Sequence, residues 1–247
     1  MADIYKRLRA HYEAACRHFG EEAVLGVFLY GSQNYNTDTE ASDVDTKCIL
    51  VPDLRTLACH PYSVKHLDVD GEVCECMSIQ HMVENWKKQN INFVETMFTP
   101  HCIISNRYNK IWRDFIEAHK EEIARYDIKR AILSMANQAL HTIKQDPTDY
   151  KKQMNLLRIR YSLYGVIEDT KIDYWKSISM DNQRSAYLRE VRKTGIGEGM
   201  IQMVCQDFEN MIHNVDEIVS KCAKKADKEI INSLLEDFII SLIAQRL

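Results

Sequence analysis

No stretch of the 247 residues reaches about 18 consecutive uncharged apolar positions, the length a membrane-spanning helix requires. The amphipathic opening MADIYKRLRAHYEAACRHFG lacks the uninterrupted apolar centre of a secretory leader. A cytoplasmic protein without a membrane partner is therefore expected. Also missing are the G-x-x-x-x-G-K-[ST] loop of one large class of phosphate-binding proteins and a G-x-G-x-x-G following a strand, and GIGEG at 195–199 falls between helical patterns as a linker. These absences count against ATP hydrolysis, kinase and dehydrogenase chemistry. Excess positive charge is absent too: 32 basic against 36 acidic side chains give a net charge of −4, unlike a general nucleic-acid coat. The 8 cysteines are scattered and expected to stay reduced, and Cys59-His60, His66, Cys74 and Cys76 lack the four-ligand spacing of a structural zinc site.

What is present divides at about residue 105. The run VLGVFLY (24–30) reads as a buried strand ending at Gly31. After a polar loop, DVDTKCILV (43–51) reads as a second strand stopped by Pro52, and GEVCECMSI (71–79), entered through Asp70-Gly71, as a third. From Asn106 onward helical periodicity dominates, interrupted at DPTD (146–149) and at Gly195, Gly197 and Gly199. The expected fold class is α+β, with a small mixed sheet domain over 1–105 and an all-helical domain over 106–247. Charge is uneven along the chain. Residues 144–193 hold 11 basic and 7 acidic side chains, so a polyanionic ligand is expected to meet that segment.

The chemistry concentrates in GSQNYNTDTEASDVDTKCIL, which begins at Gly31. In a strand, Asp43 and Asp45 share a face, where two carboxylates repel each other unless a divalent cation such as Mg2+ or Mn2+ lies between them. A third carboxylate from a neighbouring strand would complete a two-metal clamp for displacement at phosphorus. Gly31 admits a phosphate close to the backbone, and Ser32 with the following N–H groups offers donors to it. As ordinary turn chemistry, the same residues would leave the paired acids without a purpose.

The Gly-Ser, loop, Asp-x-Asp order resembles the DNA polymerase beta-like nucleotidyltransferase superfamily. It is most similar to the predicted nucleotidyltransferases of bacteria and their phages, whose motif runs approximately G-S-x-x-Y-G-x-x-T-P-x-S-D-x-D. Gly31, Ser32, Tyr35, Thr39, Ser42, Asp43 and Asp45 match it without a gap, with Asn36 for the second glycine, Glu40 for the proline and Gln33 where arginine is frequent. QNINFVETMFTP (89–100) is similar to that group's N-P-x-x-L-E-x-L-x-x-P, and weaker likenesses lie in KKQMNLLRIRYSLYGVIE and YLREVRKTGIGE.

The resemblance implies transfer of a nucleoside monophosphate from an NTP to an acceptor, RNA or a protein hydroxyl, with release of pyrophosphate; a small-molecule acceptor such as an aminoglycoside would need an acidic pocket. It casts Asp43 and Asp45 as metal ligands, with Gly31 and Ser32 holding the β- and γ-phosphates. For the third acid Glu75 is favoured over Glu72 at the turn; Glu95 in FVETMF is an outside candidate, for which a paired buried acid is the commoner explanation. Lys151, Asn155, Arg158 and Ser162 recur on one helix face, opposite Leu156, Ile159 and Leu163, and the first three are expected to hold the nucleotide. Arg189, Arg192 and Lys193 form a second basic group suited to a polyanionic acceptor. The alternative is a non-catalytic nucleotide-binding or interaction module that retains this fold.

Overall fold

The computed structural model describes residues 2–39, 42–59, 64–168, 173–222 and 226–247. Helix α1 (Ala2–Phe19) precedes strand β1 (Val24–Leu29) and strand β2 (Thr46–Leu50). Short helix α2 (Leu54–Cys59) leads to the hairpin of β3 (Val64–Val69) and β4 (Glu72–Ser78). Helices α3 (Ile79–Lys87) and α4 (Ile91–Val94) then bring the chain to β5 (Cys102–Ile104). The strands form one mixed sheet in the order β3-β4-β2-β1-β5, in which β2 and β4 run parallel and the remaining pairs antiparallel.

Three expectations need correcting. The second strand starts at Thr46 rather than Asp43, so both aspartates lie on its approach, where the backbone is freer to aim them. Two further strands have no clear sequence signal. Strand β3 lies at the sheet edge with Lys65, His66 and Asp68 exposed or half-exposed, which hides its apolar signal and blunts the edge against further pairing. Strand β5 has only three residues. The Asp70-Gly71 signal is real, but it closes the β3–β4 hairpin, with φ of 56° and 84° at the two turn residues.

Strand β1 is buried on both faces, which explains its unbroken apolar run. One face, with Val27, Leu29, Val44, Cys48, Cys74 and Cys76, packs with Leu8 and Ala15 of α1. The other, with Phe28, Ile49 and Met77, joins the helices that follow.

Those helices are α5 (Asn109–Arg125), α6 (Ile128–Gln145), α7 (Tyr150–Glu168), α8 (Tyr174–Ile178), α9 (Asn182–Thr194), α10 (Glu198–His213), α11 (Val215–Lys221) and α12 (Lys228–Arg246). The second apolar core continues across residue 105 into Phe238 of α12 without a gap. There Phe115 and Phe238 stack at 3.9 Å between centroids, with Trp112 and Trp86 around them. Among the described residues no helix is long and apolar enough to cross a membrane.

Candidate functional site

Strand β1 delivers the chain to Gly31 at the end of the sheet where β2 and β4 begin. Gly31 has φ of 82°, and a Cβ there would stand 3.2 Å from Asp45 Oδ2. The backbone conformation favours glycine, and any Cβ there would press on the Asp45 carboxylate. The following loop is held by its own hydrogen bonds: Thr37 N–H donates to Ser32 O at 2.9 Å, and Gln33 Nε2 to Asp43 O at 3.2 Å. Asn36 sits at φ of 56°, the left-handed conformation that asparagine tolerates in place of glycine. Glu40 and His60 lie outside the described residues.

Gly31, Ser32, Asp45, Lys151, Asn155 and Arg158 converge on one cavity of about 160 Å3, together with Tyr30, Tyr35, Thr37, Asn92, Met154 and Arg192. That volume falls below the range for a whole drug-sized ligand and suits the phosphate end of one. Along α7 exposure decreases from Lys151, at the surface, through half-buried Asn155 to Arg158, 8% exposed. Ser162, one turn further, is fully buried and donates to Ile178 O, so it belongs to the packing of α7 on α8. Leu156, Ile159 and Leu163 are buried as well, making α7 a central helix rather than one with a solvated face.

Arg158 stacks 4.2 Å over the Tyr35 ring, while its Nη1 is buried and has no hydrogen-bond partner. Behind the cavity lies Glu95, fully buried, which accepts from Asn34 Nδ2 at 3.0 Å and Gly31 N–H at 3.4 Å. Burial pushes the Glu95 carboxyl up to about 7, against the hydrogen bond from Asn34 and the charge of Arg158. Glu95 is therefore a paired buried acid, and its partner is the Gly-Ser turn itself.

Asp45 is half-buried and its carboxyl is raised by desolvation, opposed by Lys151 and raised further by Asp43. Among the described residues no hydrogen bond or ion pair satisfies the carboxylate of either aspartate. Such a free, mutually repelling pair is a donor set that fits a divalent cation. Asp43 is exposed and faces a separate cavity.

Glu75 stands opposite Lys47 across the parallel β2–β4 pair, on the sheet face of Ile49 and Met77. Its Oε2 lies 2.5 Å from Lys47 Nζ, and that buried ammonium also sits over the rings of Tyr30 and Phe93. Glu75 is thus engaged by a lysine, and the described residues hold no group of three acids, histidines or cysteines placed to ligate a metal. Glu72 instead holds the approach to β2: it pairs with Arg7 and accepts from Val44 N–H at 2.9 Å.

Arg192 of α9 lines the cavity, and both Arg189 and Arg192 hold the loop after β1. Arg189 donates to Asn36 O at 2.9 Å, and Arg192 to Thr37 O at 3.3 Å and Ser42 Oγ at 3.2 Å. Lys193 remains exposed. The role of Lys47 and the contacts around Glu95 have no signature in sequence, because each joins segments far apart in the chain. Neither the models of protein families nor the curated proteins include a match to this sequence.

Proposed function

We propose that the protein is a metal-dependent nucleotidyltransferase, moving a nucleoside monophosphate from an NTP to an acceptor hydroxyl. The observation that carries this reading is the cavity in which Ser32, Asp45, Lys151 and the buried, unpaired Nη1 of Arg158 meet at the end of the sheet. Phosphate oxygens would satisfy that guanidinium and the Lys151 ammonium, and burial strengthens the contact to Arg158. Asp43 and Asp45 would hold Mg2+ or Mn2+, which supplies charge neutralisation at the phosphorus and polarisation of its oxygens.

The chain's own residues bind and orient. Gly31 and Ser32 keep the backbone close to the phosphates, Arg192 ties the loop in place, and Asn155 offers an amide at the cavity rim. In the transfer itself the acceptor oxygen bonds to the α-phosphorus, the bond to the bridging oxygen breaks, and pyrophosphate leaves while the hydroxyl proton passes to water. Positioning and charge stabilisation provide the acceleration.

The Lys47–Glu75 ion pair favours one second reading, a nucleotide-binding module without catalysis, since it occupies the third acid. One experiment decides between the two. Wild type and Asp45→Asn are incubated with α-³²P-labelled NTPs, magnesium or manganese and a lysate containing RNA and protein. The transferase reading requires label that falls by about 100-fold or more in the variant while its circular dichroism is unchanged. Full labelling by the variant contradicts it, and nucleotide binding with no label supports the module.

A further inference from the structure

Lys47 is the second residue of β2, two after Asp45, and its register partner on the parallel strand β4 is Glu75. Partners of this kind stand side by side on one face of a sheet. The lysine is 2% exposed, although it ends in a charge. Its ammonium is met by Glu75 Oε2 at 2.5 Å, by the Tyr30 ring at 3.8 Å from the centroid and by the Phe93 ring at 4.3 Å. A buried charge is costly unless paired, and here a carboxylate and two aromatic faces supply the pairing. The ammonium is therefore a fixed part of the sheet.

This fixed charge lies against the phosphate cavity. Tyr30, whose ring it covers, lines that cavity with Asp45. Burial raises the Tyr30 hydroxyl, and Asp45, Glu75 and Glu95 raise it further, so these acids surround one ring. Desolvation raises the Asp45 carboxyl and Asp43 adds to this, whereas Lys151 and Lys47 lower it. Lys47 thus acts on Asp45 as well as on Glu75.

A two-metal clamp needs a further carboxylate beside Asp43 and Asp45. The candidate glutamates are all engaged: Glu75 by Lys47, Glu72 by Arg7, and Glu95 by the N–H of Gly31 and the amide of Asn34. A divalent cation placed on Glu75 would meet the ammonium that already holds this carboxylate. Like charges so close repel.

We propose that Lys47 is a built-in cation that stands in for a second metal, leaving a centre that takes one divalent cation with its nucleotide. The inference rests on the nucleotidyl-transfer reading and deepens it. Lys47 supplies a positive charge that does not exchange with solvent, and it keeps Glu75 from recruiting another ion. Asp43, Asp45 and the phosphates of the NTP hold the single exchangeable cation. On this account the Lys47–Glu75 pair is part of a working centre and does not disable it.

The test counts bound Mn2+ by electron paramagnetic resonance on protein saturated with the α,β-methylene analogue of ATP. Methionine at position 47 keeps an unbranched side chain and removes the charge. The expected counts are one Mn2+ per nucleotide complex in wild type, one in Glu75→Gln, two with a spin-coupled signal in Lys47→Met, and one again when both substitutions are combined. Two Mn2+ in wild type, a lower count in Glu75→Gln than in wild type, or a folded Lys47→Met that still binds one overturns the proposal. If Lys47→Met does not fold, wild type and Glu75→Gln decide alone. Asp45→Asn separates this inference from the reading beneath it. Loss of Mn2+ from the Asp45→Asn complex is expected; if Mn2+ and the analogue bind without regard to Asp45, or not at all, the nucleotidyl-transfer reading itself fails.

Discussion

Glu95 is the residue on which the Gly31-Ser32 turn and the helices lean together. It is fully buried, accepts from Gly31 and Asn34, and is faced by Arg158, Tyr35 and Tyr174. Because its carboxyl is raised to about 7, the folded state holds its proton more tightly than the unfolded chain does. Between about pH 4.5 and 7 the folded state therefore binds more protons, and stability falls as pH rises, by a total on the order of 3 kcal/mol. Glu95→Gln removes this dependence. The melting-temperature advantage of wild type over the variant is expected to shrink from pH 5 to pH 8, and a difference constant with pH contradicts the account. Gly31 tests the neighbouring contact. Gly31→Ala is expected to cost roughly 1–2 kcal/mol from its left-handed backbone alone, and to weaken transfer by pushing on Asp45. At this scale Gly31, Asp43 and Asp45 are legible because strand end, turn residue and acids are neighbours in sequence. Lys47–Glu75 and Glu95–Gly31 are not, since only the folded sheet brings them together.

The loop after β1 behaves as an element in its own right, though it has neither helix nor strand. Its carbonyls at Asn36 and Thr37 are held by Arg189 and Arg192 from α9, more than 150 residues later. Arg192→Ala is expected to raise the KM for NTP by about tenfold, through the lost charged hydrogen bonds, while leaving the melting temperature within a few degrees. An unchanged KM would show that the clamp does not position the loop. Helix α9 is legible only through the likeness carried by YLREVRKTGIGE, and its basic group reads from sequence as an acceptor surface because charge alone does not show which surface it meets. The strands divide in the same way. Strands β1, β2 and β4 carry apolar or alternating runs, whereas β3 presents polar residues along an edge and β5 is too short to leave a pattern.

Across the whole molecule, sheet and helices share a core. Phe238 of α12 packs among Trp86, Trp112 and Phe115, so the last helix lies against α3 and α5. Phe238→Ala is expected to cost about 3–5 kcal/mol. Sheet and helices should unfold together, with tryptophan fluorescence and far-ultraviolet circular dichroism giving the same midpoint in urea. Two separate transitions would contradict a shared core. The α+β class is legible because periodicity changes near residue 105, but the continuity of the core across that point is not, because periodicity reports faces and not their partners. The function proposed for this assembly depends on which part of the NTP is transferred. The most direct measurement is parallel incubation with α-³²P- and γ-³²P-labelled NTP, magnesium and lysate, for wild type and Asp45→Asn. The account predicts α-label in the acceptor, γ-label only in released pyrophosphate, and neither product from the variant. Incorporation of γ-label, or transfer undiminished in Asp45→Asn, would contradict it.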